Sequence, residues 1–164
     1  MQESVEQFLE HVARRGSWVG GGSVAALSAA LAAALLQKLV VDPKAVRMLR
    51  RLRRECLQLI QQDAETFARV IQATRTGRQG AVQRALKAAT DIPCRVAQDA
   101  RAIQAACHRL RRSIKPLFQS DLVCALSLAQ AADRAAQALI RTNLAWLKDR
   151  IFAARIHRRL RGTV

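Results

Sequence analysis

Residues 20–36 read GGGSVAALSAALAAALL, so that three glycines and a serine run directly into a segment of alanine and leucine. Alanine and leucine favour helix, and the free N–H groups at the start of a helix carry the positive end of its dipole. Gly20, Gly21, Gly22 and Ser23 are therefore a candidate cradle for an anion or a ligand. The structural alternative is a tight loop that lets the helix pack closely on a neighbour, with Ser23 as its N-cap.

The composition extends the helical prediction to the whole chain. The 164 residues include no tyrosine and only three prolines, and this length suits one domain, residues 1–164, with a substantial core. Apolar spacing and helix breakers predict an all-α, up-and-down bundle of about six helices with short connections. The expected helices are 2–15, 23–41, 43–75, 79–90, 91–113 and 120–159.

The charge of the chain is strongly positive. A formal net charge of +16, from 28 Lys and Arg against 12 Asp and Glu, predicts anionic partners or substrates. The basic residues cluster over 44–54, 109–115 and 155–161. The run RRLRRE at 50–55 has no aromatic residue for stacking on bases, so nucleic acid is not the expected partner.

Cysteine usage and the N-terminus bear on cofactors and compartment. The four cysteines are scattered singly, without the paired spacing of a zinc site or a disulfide framework, so no metal is expected. The N-terminal MQESVEQFLEHV carries acids where a signal peptide carries lysines, which predicts a cytoplasmic location. The apolar run 24–36 is shorter than the roughly 20 residues of a membrane span, so we expect a buried helix and no membrane contact.

Polar residues interrupt two apolar helical stripes. Asp63 is in line with Leu59 and Phe67 on the third predicted helix, and a buried carboxylate there needs either a partner or a function. The partner would be one of the arginines, in the same chain or in another. On the last predicted helix, Ser120-Asp121 has a simple explanation as an N-cap with an acid favoured by the helix dipole, whereas Asn143 does not. About 33 Å of helix separates Asp121 from Asn143, so they would share a site only across two subunits.

Five segments together resemble the cyclodeaminase/cyclohydrolase family of folate enzymes. They are GGGSVAALSAALAAAL from Gly20, DAETF from Asp63, IPCRVAQDA from Ile92, SDLVCALSLAQAA from Ser120 and TNLAWLKD from Thr142. The resemblance covers nearly the whole chain in the right order. It implies an all-α homodimer with ligand sites near subunit boundaries. It also implies chemistry on the one-carbon bridge between N5 and N10 of tetrahydrofolate, which needs no metal or organic cofactor.

The resemblance also implies roles for individual residues. Asp63 matches the aspartate that precedes the motif's phenylalanine and is the expected acid/base residue, with Asp121 as the second catalytic candidate. The implied substrate-binding residues are Gly20, Gly21, Gly22, Ser23, Ser120 and Asn143. The chain departs from the family pattern at Val19, where PGGGS has proline, at Ile114-Lys115 in place of Gly-Asn, at Leu139 in place of an asparagine, and in a short connector before residue 43.

We therefore expect an enzyme that acts on a tetrahydrofolate derivative, free or polyglutamylated. It would either hydrolyse the cyclic amidinium of 5,10-methenyltetrahydrofolate or cyclise and deaminate 5-formiminotetrahydrofolate, with Asp63 moving the proton. The arginine clusters would attract the anionic substrate. The alternative is a catalytically inactive helical adaptor of the same fold that binds an acidic protein or nucleic acid through its basic surface, because the departures at Ile114, Lys115 and Leu139 fall at expected ligand contacts.

Overall fold

The computed structural model describes residues 4–161, which form six α-helices and no β-strand. Two short 3-10 turns, Arg111–Ser113 and Pro116–Phe118, connect the fourth helix to the fifth. The predicted all-α bundle is confirmed. In chain order the helices are α1 (Val5–Ala13), α2 (Gly21–Leu39), α3 (Pro43–Arg75), α4 (Gln79–Leu110), α5 (Gln119–Trp146) and α6 (Arg150–Arg161).

Helix α2 is the centre of the bundle and packs against α3, α4 and α5. Its alanines have short side chains, so neighbouring helices approach closely and bury nine of its 19 residues. By length and composition α2 is also apolar enough to cross a membrane, but half of its most apolar window is buried, and central helices of globular proteins meet the same criteria. Its buried residues are Gly22, Ser23, Ala25, Ala26, Ala29, Ala30, Ala32, Ala33 and Leu36.

Helix α3 has the boundaries that the sequence predicts. Asp42 is its N-cap and accepts the N–H groups of Lys44 and Ala45, and Pro43 occupies the first turn, where a missing N–H costs nothing. After the last turn, Gly77 has φ +66°, a conformation that favours glycine. The long α3 therefore starts and ends on local signals.

The boundary predicted inside α4 is wrong. Residues 79–110 form one helix, whereas the sequence predicted one helix ending at residue 90 and another starting at Asp91. Pro93, which lacks an N–H, lies inside this helix and is buried. The packing of α4 against α2, α3 and α5 outweighs the one backbone hydrogen bond that proline removes. Asp91 does not cap a helix and instead forms an ion pair of 2.6 Å with Arg159.

The single last helix predicted over 120–159 is also wrong, because the chain breaks between α5 and α6. The Gln83 side chain, from α4, holds both sides of the break: it donates to the Trp146 carbonyl at 3.1 Å and accepts the Lys148 N–H at 2.9 Å. Asp149 then starts α6 by accepting the Phe152 N–H at 2.9 Å. A hydrogen bond from Lys87 lowers the pKa of Asp149. Contacts from α4 that are distant in sequence therefore fix this break.

Candidate active site

A cavity of about 230 Å³ lies at the end of the bundle where α2 begins. The start of α2, the second half of α3, the middle of α4 and the last turns of α5 enclose it. Asp63 is the one charged side chain that lines it among the described residues. The walls are mostly apolar, so an ionised group inside is poorly solvated. The lining includes Trp18, Gly20, Gly21, Gly22, Thr66, Phe67, Leu86, Leu139, Thr142 and Asn143.

Asp63 is held by the first turn of α2. The Ser23 hydroxyl donates to Asp63 Oδ2 at 3.0 Å, and the Ser23 backbone N–H also hydrogen-bonds to this carboxyl group. The anion at the start of α2 is thus a carboxylate of the same chain, held where free N–H groups and the helix dipole favour negative charge. Ser23 is not the N-cap of α2, because Gly20 has that position and no side chain caps it.

The Ser23 hydroxyl can satisfy either protonation state of Asp63. It is fully buried and lies 3.1 Å from the Ile60 carbonyl as well as 3.0 Å from the carboxylate. A hydroxyl has one proton and can also accept a hydrogen bond. It can donate to an ionised Asp63, or donate to Ile60 while accepting from a protonated Asp63. Proton uptake and release at Asp63 therefore leave no buried polar group without a partner.

Gly22 is the glycine that the site requires. A Cβ built at this position would overlap the Asp63 carboxyl group, with the carboxyl carbon only 2.5 Å away. At Gly21 an added Cβ would meet only Leu139 Cδ2, at an ordinary 3.8 Å, and at Gly20 it would meet nothing within 4 Å. The close backbone approach predicted for the glycine motif thus occurs at Gly22, and the group that approaches is Asp63.

The environment of Asp63 changes its acidity. Burial raises the pKa of Asp63 above the ordinary value of a carboxyl group, and the two hydrogen bonds from Ser23 oppose that rise. The arginine partner within the chain, one of the alternatives that the sequence left open, is wrong for residues 4–161, because their ion pairs do not include Asp63. Asp63 is a partly desolvated acid in a cavity, which is the setting of many general acid/base groups.

The end of α5 brings Asn143 into the same cavity, near Thr142. The Thr142 hydroxyl donates to Ala138 in its own helix at 3.1 Å. In the described part of the chain the side-chain amide of Asn143 has no hydrogen bond. Its NH₂ group and its carbonyl oxygen are therefore available to a ligand. One chain therefore brings together the glycines, Ser23, Asp63 and Asn143.

Ser120 and Asp121 lie at the opposite end of the bundle. Asp121 Oδ2 is 3.5 Å from Lys38 Nζ, near the end of α2, about 25 Å along that helix from Gly21. Ser120 is not an N-cap, because α5 begins at Gln119 after Phe118. Within one chain Asp121 and Asn143 do not share a pocket, as the helix length predicts.

The departures from the family pattern are divided between the two ends. Leu139 lines the cavity and adds apolar wall where the family pattern has an asparagine. Ile114 and Lys115 fall between the two 3-10 turns, at the Asp121 end, where Ile114 is buried in the core. In one chain, the departures near Asp63 are Leu139, which lines the cavity, and Val19, which directly precedes the cavity residue Gly20.

A second perturbed carboxyl group lies outside the cavity, and the sequence analysis missed it. The Cys56 thiol donates to Asp99 Oδ2 at 3.7 Å across the α3–α4 contact. Burial first, and then the negative charge of Glu55, raise the pKa of Asp99 to about 6. Only the pairing of α3 with α4 brings these residues together, so apolar spacing gave no signal for them.

The remaining candidates for chemistry are the cysteine thiols and clusters of metal-ligating side chains. All four cysteines are free, and burial raises the pKa of Cys94 and of Cys107 to about 11, which makes these thiols poor nucleophiles. Among residues 4–161, no three His, Cys, Asp or Glu side chains come close enough to hold a metal ion. At the cavity, Asp63 can transfer a proton and its polar neighbours can form hydrogen bonds.

Comparisons with known proteins agree with this fold. A methenyltetrahydrofolate cyclohydrolase from Methylorubrum extorquens is 28% identical over 98% of this chain and 88% of that protein. The crystal structure of formiminotetrahydrofolate cyclodeaminase from Thermotoga maritima shares the fold, with a TM-score of 0.91 and 23% identity over 99% of this chain and 88% of that one. The model of the family described as Formiminotransferase-cyclodeaminase matches residues 4–162. The chain therefore belongs to the formiminotransferase-cyclodeaminase family.

Proposed function

We propose that this protein is an enzyme of folate one-carbon metabolism that hydrolyses 5,10-methenyltetrahydrofolate or cyclises and deaminates 5-formiminotetrahydrofolate. One observation carries the proposal: Asp63 lies in an apolar cavity without a cationic partner among the described residues. The hydroxyl of Ser23 can hydrogen-bond to Asp63 whether the carboxyl group is ionised or protonated. Such a group can exchange a proton with a bound substrate. The cyclohydrolase from Methylorubrum extorquens supports the hydrolytic reaction.

In the hydrolytic reaction the ionised Asp63 acts first as a base. It removes a proton from a water molecule while the oxygen forms a bond to the amidinium carbon, which neutralises the cation. Asp63 then returns that proton to N5 as the bond between N5 and the carbon breaks. The hydroxyl loses its own proton to solvent and becomes the formyl oxygen. One water is consumed and one proton is released.

In the deaminating reaction the protonated Asp63 acts as an acid. N10 forms a bond to the formimino carbon and loses its proton, and the formimino nitrogen leaves as ammonia. The ammonia contains the original N–H proton, the proton from N10 and one proton that Asp63 donates. The raised pKa of Asp63 favours this acidic role, and its hydrogen bonds to Ser23 favour the ionised form that the hydrolytic reaction needs.

Binding of the substrate uses polar groups around an apolar cavity. The Asn143 amide and the free N–H groups at Gly21 and Gly22 would contact polar edges of the pterin or a carboxylate of the substrate. The exposed arginines of α3, such as Arg47 and Arg50, lie toward the other end of the bundle and would attract a negatively charged folate, above all its polyglutamylated form, as part of the overall positive field. Ser120 and Asp121 would contribute only from a second subunit.

Exposed apolar side chains on α2 support a homodimer. Helix α2 is the centre of the bundle, yet Val24 and Leu31, two turns apart on one face, are 38% and 50% exposed. A second copy that covers this face would bury them and could bring its own α5 start, with Asp121, toward the cavity of the first. The cytoplasmic location and the cofactor-free chemistry remain predictions.

The test is the absorbance of the methenyl group in the presence of purified protein. Hydrolysis of 5,10-methenyltetrahydrofolate lowers it, and cyclodeamination of 5-formiminotetrahydrofolate raises it, so the sign of the change identifies the reaction. Both rates are compared with buffer at the same pH because the methenyl compound hydrolyses spontaneously. Rates equal to buffer with both substrates would contradict the proposal. Binding to an acidic protein or nucleic acid that weakens steeply with salt, without folate binding, would favour the adaptor.

A further inference from the structure

Helix α4 carries a break in its hydrogen bonding that faces the cavity. In an α-helix each N–H donates to the carbonyl four residues earlier. Pro93 lies inside α4 and has no N–H, so the Ala89 carbonyl loses the donor that position 93 would otherwise supply. Ala89 and Pro93 are one turn apart, and both line the cavity that contains Asp63. The carbonyl between them therefore lies on the cavity side of α4.

Nearby hydroxyl groups do not replace the missing donor. The Thr66 hydroxyl donates to backbone carbonyls of its own helix, Gln62 at 2.8 Å or Asp63 at 3.0 Å. The Thr90 hydroxyl, next to Ala89 in sequence, donates to Leu86 at 2.7 Å. Buried backbone carbonyls are almost always hydrogen-bonded in folded proteins. An acceptor without its helical donor at the wall of a ligand cavity is thus suited to a donor that the ligand brings.

We propose that the Ala89 carbonyl oxygen is a substrate-binding acceptor that takes a hydrogen bond from an N–H group of the reduced pterin ring. This inference rests on the proposed function. A reduced pterin presents several N–H groups, and a carbonyl oxygen can only accept. Because the carbonyl is uncharged, it orients the ring without competing with Asp63 for the catalytic proton. Pro93 is then a positioning residue, since it acts by depriving this acceptor of its helical donor.

The experiment restores the missing donor. Pro93→Ala and Pro93→Val both supply an N–H that can pair with Ala89 inside the helix, and valine also keeps most of the bulk of the proline ring. The probe is 5-formyltetrahydrofolate, a stable reduced folate, and binding is measured by calorimetry. We expect both variants to bind it about tenfold more weakly than the unmodified chain, which is the effect of losing one hydrogen bond.

Two further measurements make the result specific. Slow hydrogen exchange at the new amide of residue 93 shows that the bond to Ala89 has formed, and a raised Tm is expected because interior prolines destabilise helices. Pro43→Ala is the matched control, because Pro43 begins α3 at a position that needs no N–H, and its binding should be unchanged.

Three outcomes would overturn the inference. Unchanged binding by Pro93→Val, with the residue 93 amide protected, would show that the carbonyl does not contact the ligand. A loss confined to Pro93→Ala would assign the effect to the apolar ring. Failure of the unmodified chain to bind 5-formyltetrahydrofolate would overturn the proposed function and this inference together. The first two outcomes, by contrast, would overturn this inference and leave the proposed function standing.

Discussion

The Asp63 carboxyl group occupies the space that a side chain would need at Gly22. The same carboxyl group accepts the hydroxyl and the N–H of the next residue, Ser23. Helix α2 therefore accommodates Asp63 in two ways. Gly22 has no Cβ to collide with the carboxyl group, and Ser23 donates hydrogen bonds to it. The position of the acid depends on the start of α2 as much as on its own helix, α3.

Gly22→Ala should displace Asp63 and lower kcat/KM by about 10²-fold, because a shift of roughly 1 Å at a catalytic group has that effect. The added methyl group would also overpack a buried site, which costs about 1–3 kcal/mol of stability. Steady-state kinetics and thermal unfolding measure the two effects. Gly80→Ala is the control, since Gly80 lies in the first turn of α4 outside the cavity and its added methyl group would meet only Arg84 Nη1 at 3.7 Å. Equal losses in Gly22→Ala and Gly80→Ala would contradict the special role of Gly22.

Ser23→Ala should move the pH dependence of hydrolysis. Ser23 donates to Asp63 and opposes the rise in its pKa, so without the hydroxyl the pKa of Asp63 rises further. The hydrolytic reaction needs ionised Asp63, so the inflection of kcat/KM should move to higher pH. Ser28→Ala is the control, because Ser28 lies on the same helix and donates only to Val24 at 3.0 Å. An inflection at the same pH in Ser23→Ala would argue against Asp63 as the titrating base.

Asp99→Asn should remove a pH dependence of stability. The pKa of Asp99 is raised from 3.8 to about 6 in the folded protein, so between these values the folded state binds more protons than the unfolded state. The contribution of Asp99 to stability therefore falls as pH rises through this window. The Tm of Asp99→Asn relative to the unmodified chain should increase from pH 4 to pH 7. A constant difference in Tm across this range would show that Asp99 titrates normally.

The protein should be a dimer in solution. Val24 and Leu31 leave an apolar face on the central helix, and Asp121 and Asn143 lie at opposite ends of α5. An obligate dimer should bury well over about 1,000 Å² of total surface. Light scattering at micromolar concentration should give about twice the chain mass of 18.1 kDa. A mass of one chain would contradict the dimer, and Leu31→Glu should lower the mass toward that value if the α2 face is the interface.

Local signals in the sequence predicted much of the fold. The start of α3 at Asp42-Pro43 and its end at Gly77 depend on neighbouring residues, so the sequence alone located them. The continuity of α4 through Pro93 and the break after Trp146 depend on packing and on Gln83, which is more than 60 residues from the break. The spacing of apolar residues in the sequence does not indicate contacts of this kind.

For the site, too, single residues were predictable from the sequence, whereas contacts between helices were not. Asp63 and Asn143 stood out because each interrupts an apolar stripe, and the structure places both at one cavity. The hydrogen bond of Ser23 to Asp63 joins residues 40 apart in sequence, on different helices. The sequence therefore indicated Ser23 as part of a ligand cradle or, alternatively, as a helix cap, whereas its hydrogen bond to Asp63 depends on how α2 and α3 pack.

The most direct test of the central claim is Asp63→Asn, measured for turnover and thermal unfolding on one preparation. Asparagine is close in size and cannot take up the proton, so turnover should fall by about 10² to 10⁴-fold. Folding should be kept, because no cation among the described residues pairs with Asp63 and the buried charge is removed. Near-normal turnover with a loss of about 3–5 kcal/mol of stability, the effect of breaking a buried ion pair, would contradict the account and shift the catalytic role to Asp121.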